Sequence, residues 1–321
     1  MLLSESKKRF LRRCIALNLA EGTLVKYDRT LNRFFETCTS RNIENAEDIT
    51  ANDIRAHLAK LAKDVNPNTL KVYFDTIKSY FNYLYRDKII PENVVANIET
   101  PKREEKTIPA FNRFEIDTIL NSFDKSSFLG FRNYTIACTL FATGLRRAEL
   151  SALYINSVNL YVNIIKVVGK GKKYRDVPLS HTLRKVILKY LQKRGEYIAE
   201  HKLLKSPYLI INKDGERLGV SAISGIITKI GKDENITGVR VSPHTFRHTF
   251  AKFFLLNGGD LFSLQKILGH SDIEMTKRYV EMNEVELAME HPETAEICWN
   301  GEALEYIDSG FYVDESIRTC K

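Results

Sequence analysis

Through the first hundred residues apolar side chains recur at 3.6-type spacing, and at ETPKREEKTIP, residues 99–109, that pattern stops. A helix with one apolar face is stable in water only when that face is covered, so several such helices in succession dictate a bundle. The spacing predicts one helix near Ser4–Leu19. A second follows Gly22-Thr23, carries Leu24, Tyr27, Leu31, Phe34 and Phe35, and ends near Cys38. The capping signal Thr50-Ala51-Asn52-Asp53 opens a third with Ile54, Leu58 and Leu61, and Asn66-Pro67-Asn68-Thr69 opens a fourth with Leu70, Tyr73, Phe74, Ile77, Tyr80, Phe81 and Leu84. Residues 1–100 thus read as a small helical domain with a basic exterior.

Residues 101–109 join two prolines to many charges with almost nothing apolar, as expected of an extended linker. Beyond it, Arg113–Phe123, Phe131–Thr143 and, past Gly144, Arg146–Leu153 read as helices. The period then changes from 3.6 to 2. Asn163–Val168 and Tyr174–Leu179 are β-branched runs around Gly169-Lys170-Gly171-Lys172-Lys173, which predicts a hairpin with a basic turn. A helix around Leu183–Glu196, a short strand at Tyr208–Ile211 and a helix near Ala222–Lys232 follow. The expected class is mainly α (α+β), with one small antiparallel sheet in the second domain.

The hydrophobic fraction of 44% is that of a folded chain and excludes general disorder. Charge is unevenly spread. Residues 281–321 hold eleven acidic residues against Arg318 and Lys321, so the formal +8 of the whole chain becomes +17 over residues 1–280. A basic body with an acidic tail suits a polyanionic partner such as nucleic acid. The five cysteines are odd in number and widely separated, without a C-x-x-C pair, and no secretory segment follows Lys7-Lys8-Arg9, which together predict a reducing, cytoplasmic setting. No apolar run approaches the roughly 20 residues of a membrane span.

In Ser242-Pro243-His244-Thr245-Phe246-Arg247-His248 a proline at a helix start leaves His244 and Arg247 three apart, on one face. An arginine fork matches two non-bridging phosphate oxygens, and a second fork from Arg146 completes a clamp around one group. A lone His-x-x-Arg also occurs on ordinary helices. His244 and His248 have the i, i+4 spacing of a helical zinc pair. Arg247 lies between them, however, and no Cys or carboxylate stands at ligand spacing, so no metal or other cofactor is expected and His248 is read as bracing the core. Farther on, Gly269 breaks a helix, Ser271 or Asp272 offers an N-cap, and Tyr279 stands nine residues past His270. A phenol with its usual pKa of about 10 attacks phosphorus only when cations favour phenolate or a neighbour takes its proton.

Taken together, Thr143-Gly144-Leu145-Arg146-Arg147-Ala148-Glu149-Leu150, Val168-Gly169-Lys170-Gly171, His244-Thr245-Phe246-Arg247-His248, Leu268-Gly269-His270 and Tyr279 resemble the boxes of the tyrosine recombinase (phage integrase) family, in that family's order and approximate spacing. Each box alone is weak; the ordered set is specific. The resemblance runs over the whole chain and implies a site-specific DNA recombinase that cleaves and rejoins strands through a 3′-phosphotyrosine. It implies Tyr279 as nucleophile, Arg146 and Arg247 as stabilisers of the pentacoordinate state, and Lys170 as proton donor to the leaving 5′ oxygen. His244 would assist proton transfer, His270 would bind a phosphate oxygen, and Glu149 would orient its neighbours.

The same resemblance implies a core-binding SAM-like domain over residues 1–100, a linker at 101–109 and a catalytic domain over 110–282, closing as a clamp around DNA. Residues 283–321 would form an acidic tail whose Val285–Met289 stretch is a candidate helix for exchange between protomers. With the bundle starting almost at Met1, a simple-site enzyme of Xer-like or mobile-element type is expected. It would act as a homotetramer on double-stranded DNA with inverted-repeat core sites, with room for accessory factors and no membrane. The competing expectations are a type IB topoisomerase-like nicking-closing enzyme and a catalytically silent DNA-binding protein.

Overall fold

The computed structural model describes residues 1–102, 110–169 and 173–269. The chain forms two compact units, Met1–Lys106 and Thr107–Lys321. The stretch read as a linker falls almost entirely outside the described residues, as do Lys170, His270, Tyr279 and the acidic tail.

In the first unit α1 (Leu3–Ala16), α2 (Glu21–Thr39), α3 (Ala51–Leu61) and α4 (Pro67–Arg86) bury one stripe each. The stripes meet in an aromatic core of Phe10, Phe34, Phe74, Tyr80 and Phe81, all fully buried. Phe10 and Phe34 meet the α4 rings at centroid distances of 5.6 and 6.2 Å, edge to face. Both capping signals operate as expected. Thr50 accepts from the backbone N–H of Asp53 while the Asp53 carboxylate accepts from that of Thr50, and Asn66 accepts from Thr69 ahead of a first-turn proline. Past α4 the chain folds back to add Ile90, Val95 and Ile98 to the core.

The second unit is built around α6 (Phe128–Thr143), whose sequence is apolar on nearly every face and which is covered accordingly, by α8 (His181–Glu200) and α10 (Pro243–Leu256). Three of its threonines are handled internally, as Thr135, Thr139 and Thr143 each donate to the carbonyl four residues back, while the buried Arg132 donates across to the Ile211 carbonyl. Helices α5 (Arg113–Asn121), α7 (Arg147–Ala152), α9 (Val220–Asp233) and α11 (Leu261–Leu268) complete the helical part.

The predicted hairpin is present, as β2 (Ile164–Val168) paired antiparallel with β3 (Tyr174–Pro178), and β1 (Val158–Asn159) adds a third strand in the order β1-β2-β3. Its register opposes Val168 to Tyr174 and Val167 to Arg175. The strand expected at Tyr208–Ile211 does not form. Those residues make isolated bridges, Tyr208 with Tyr154 and Ile211 with Arg217. The carbonyls of Tyr208 and Leu209 accept instead from the Arg194 guanidinium and the Tyr190 hydroxyl, so side chains replace the ladder. Among the described residues no helix is long and apolar enough to cross a membrane.

Candidate active site

Three arginines from three different elements converge on the C-terminus of α11. Arg146 is the N-cap residue of α7 and is held there because Gly144 ends α6 in the left-handed region, at φ +60, turning the chain sharply. A Cβ on Gly144 would lie 2.6 Å from Phe250 and 2.8 Å from Leu268, so this turn admits glycine alone. Arg146 Nη1 donates to the Leu268 carbonyl at 3.3 Å and Nη2 to that of Gly269 at 3.4 Å. Arg247, from α10, donates to the same Leu268 carbonyl at 2.8 Å and to the Gly144 carbonyl at 2.7 Å. Arg175, from β3, donates through Nε to Ile267 at 2.7 Å. The last carbonyls of a helix lack partners within it and carry its negative dipole end, which is why cations collect there.

Glu149, one turn into α7, gathers the cations from the other side. Its carboxylate accepts from the Arg146 backbone N–H at 2.8 Å, from Arg146 Nη1 at 3.0 Å, and from both terminal nitrogens of Arg175 at 2.9 and 2.8 Å. Burial pushes the Glu149 carboxyl up. The hydrogen bonds from Arg175 and the Arg146 backbone, with the two guanidinium charges, outweigh it and hold the group below the usual carboxylate range. The described part of the site therefore contains one anion and three cations.

Residues 110–286 match the phage integrase family, and residues 8–88 match the phage integrase N-terminal SAM-like domain. The chain belongs to the phage integrase family. A tyrosine recombinase XerD of Listeria innocua serovar 6a is 32% identical over 271 residues, spanning 84% of this integrase and 91% of its own length. A tyrosine recombinase XerC of Anoxybacillus flavithermus is 28% identical over 269 residues, 84% and 89% of the two chains. The fold is that of a XerH site-specific recombinase bound to its palindromic difH substrate, with a TM-score of 0.71 at 22% identity over 92% of this chain and 85% of that one. A lambda integrase dimer bound to a COC′ core site is similar at a TM-score of 0.71 and 16% identity, covering 87% and 77%. The activity of this integrase is that of its family, site-specific DNA recombination by a tyrosine recombinase.

The integrase brings Arg146, Glu149 and Arg247 together at the end of α11, but at unequal depth. The Arg146 side chain is 37% exposed, whereas Arg247 is 3% exposed. His244, a turn before Arg247 on α10, presents an open ring. The protein mass behind it still costs its imidazolium hydration, and Arg247, Arg147 and Arg146 repel the charge, so its pKa is lowered. His248 is pushed down to about 4, by burial first and then by His244 and Arg247. Both shifts favour the neutral imidazole near pH 7. They lie 5.8 Å apart, stacked at 23°, and among the described residues no group of three ligating side chains surrounds them.

Arg175 is the site residue that the sequence reading missed. A signal for it exists: β2 and β3 bury Val167 and Val177, and Arg175 lies two residues from Val177, hence on the same inward face. An arginine on the buried side of a strand requires acceptors for its donors, and Glu149 supplies a charged one.

Proposed function

We propose that this integrase is a simple-site recombinase in which Tyr279 is the nucleophile and Arg146, Lys170, His244, Arg247 and His270 form the rest of the catalytic set. The reading is carried by one observation: the guanidinium groups of Arg146 and Arg247 meet on the Leu268 carbonyl, two residues before His270. The scissile phosphate binds first to Arg146, the more open of the two. Arg247 acts from beneath, where a buried charge is weakly screened.

The phenol oxygen of Tyr279 forms a bond to phosphorus as its proton passes to His244, lowered in pKa and therefore unprotonated. The bond from phosphorus to the 5′ oxygen breaks, and Lys170 supplies the proton that makes that oxygen a hydroxyl. The phosphoester bond is conserved as a tyrosyl ester, so a 5′ hydroxyl from another strand reverses the step without external energy. His270 holds a phosphate oxygen, and Glu149, kept ionised, orients Arg146. Residues 1–100 serve as the core-binding domain and 110–282 as the catalytic domain, acting on inverted-repeat DNA in the cytoplasm. Four copies act together, and Val285–Met289 in the acidic tail joins neighbours. The SAM-like match and the basic charge of residues 1–280 support this arrangement.

The decisive experiment offers the full chain a nicked duplex selected by binding from a random library, so that cleavage traps the covalent complex. The expected result is a tyrosyl–DNA product with the parent and none with Tyr279→Phe, at unchanged DNA binding. A Phe variant that still forms the product would refute the nucleophile. Plasmid relaxation without any recombinant would instead mark a nicking-closing enzyme.

A further inference from the structure

The Arg175 guanidinium is seated between two glycines. A Cβ on Gly169 would come within 3.3 Å of its Nη1, and a Cβ on Gly269 within 3.1 Å of its Cδ and 3.2 Å of Nε and Nη1. Gly169 directly precedes Lys170, and Gly269 directly precedes His270. The backbone of Arg175 lies one pair in from the last ladder pair at the turn end of the hairpin, Val168 with Tyr174, beyond which Gly169 donates to the Lys173 carbonyl at 2.8 Å. The same side chain is only 11% exposed and reaches three ways, to both oxygens of Glu149 and to the Ile267 carbonyl.

We propose that Arg175 is the positioning residue of this site: its guanidinium sets where the chain departs toward Lys170 and toward His270, and holds Glu149 as the anchor of Arg146. The proposal rests on the catalytic roles assigned above. Without Arg175 the buried Glu149 would retain donors from Arg146 alone and would draw that guanidinium off the end of α11. Lysine cannot substitute, because one ammonium cannot donate in parallel to a carboxylate and at the same time to a carbonyl on another element. Gly269 is also the left-handed cap of α11, at φ +65, and both glycines leave the guanidinium room, since a Cβ at either would crowd it at 3.1–3.3 Å.

The test measures single-turnover formation of the tyrosyl–DNA complex by the full chain at saturating nicked duplex, alongside DNA affinity. Arg175→Lys is expected to slow cleavage by about 100-fold, the cost of misplacing reacting groups by an ångström, with affinity within about threefold. Because Arg175 works through Glu149, the double variant Glu149→Gln with Arg175→Gln should fall no more than about threefold below the worse single variant. Should Arg175→Lys not fold, Gly169→Ala displaces Nη1 by other means and is expected to slow cleavage about tenfold. Cleavage by Arg175→Lys at the parental rate, by Gly169→Ala at the parental rate, or a double variant equal to the product of its singles overturns the proposal. If the parent itself gives no more product than Tyr279→Phe, the assignment of the nucleophile falls, and this inference with it. A cleaving parent matched by Arg175→Lys removes Arg175 alone.

Discussion

Two arginines that look equivalent in the sequence occupy different physical situations. Arg146 is more than a third exposed and its contacts to Leu268 and Gly269 are long, while a 3.0 Å bond to Glu149 steadies it, so part of the side chain stays open to a ligand. Arg247 is buried and supplies short hydrogen bonds to the Gly144 and Leu268 carbonyls. Both Arg146→Ala and Arg247→Ala should lose cleavage by roughly two to three orders of magnitude. Only Arg247→Ala should also unfold more easily, by about 2–4 kcal/mol, because it withdraws donors from two buried carbonyls. Thermal unfolding beside single-turnover cleavage separates the two variants, and equal stability would show that Arg247 is less integral to the fold than its contacts indicate. Arg146, Glu149, His244 and Arg247 could be picked out as residues because each lies in a compact motif. Arg175 was not, since what marks it is a partner 26 positions away.

Among the elements, those with local start and stop signals were read closely. Helix α3 begins after Thr50, α4 after Asn66, and α6 ends at Gly144, all at residues whose capping chemistry is visible in a few neighbouring letters. The segment at Tyr208–Ile211 misled because β-branched composition implies a strand only if another strand of useful length lies alongside, and only single bridges are available there. The turn from α6 into α7 rests on Gly144, at φ +60. Gly144→Ala would impose left-handed strain on a residue with a Cβ and drive that atom into Phe250 and Leu268. A loss of about 2–5 kcal/mol is expected, from about 1–2 for the backbone and 1–3 for overpacking. Chemical denaturation of the full chain measures it. A loss below about 1 kcal/mol would mean that the α6–α7 junction relaxes readily.

At the scale of the whole molecule, a basic body and an acidic terminus divide the labour. Residues 1–280 carry the positive charge for DNA, and the eleven acidic residues of 281–321 are kept apart from it in sequence. Removal of residues 283–321 should leave binding to a single half-site close to that of the parent while abolishing cooperative assembly on a full site and the recombinant product. Gel-shift titration against half and full sites checks this. Unchanged cooperativity in the truncated chain would exclude the tail from coupling protomers.

Helix and hairpin identities, their caps and the order of the boxes follow from neighbours within a few residues, where propensity, periodicity and capping act, so they could be read from the letters. The arginine site is a different kind of object. Its decisive contacts join Arg175 to Ile267, Arg247 to Gly144 and Arg146 to Leu268 across 92, 103 and 122 positions. No local preference encodes such pairings. They arise when α6, α10, α11 and the hairpin pack around one core and bring the open end of a helix, with its unpaired carbonyls, within reach of three cations.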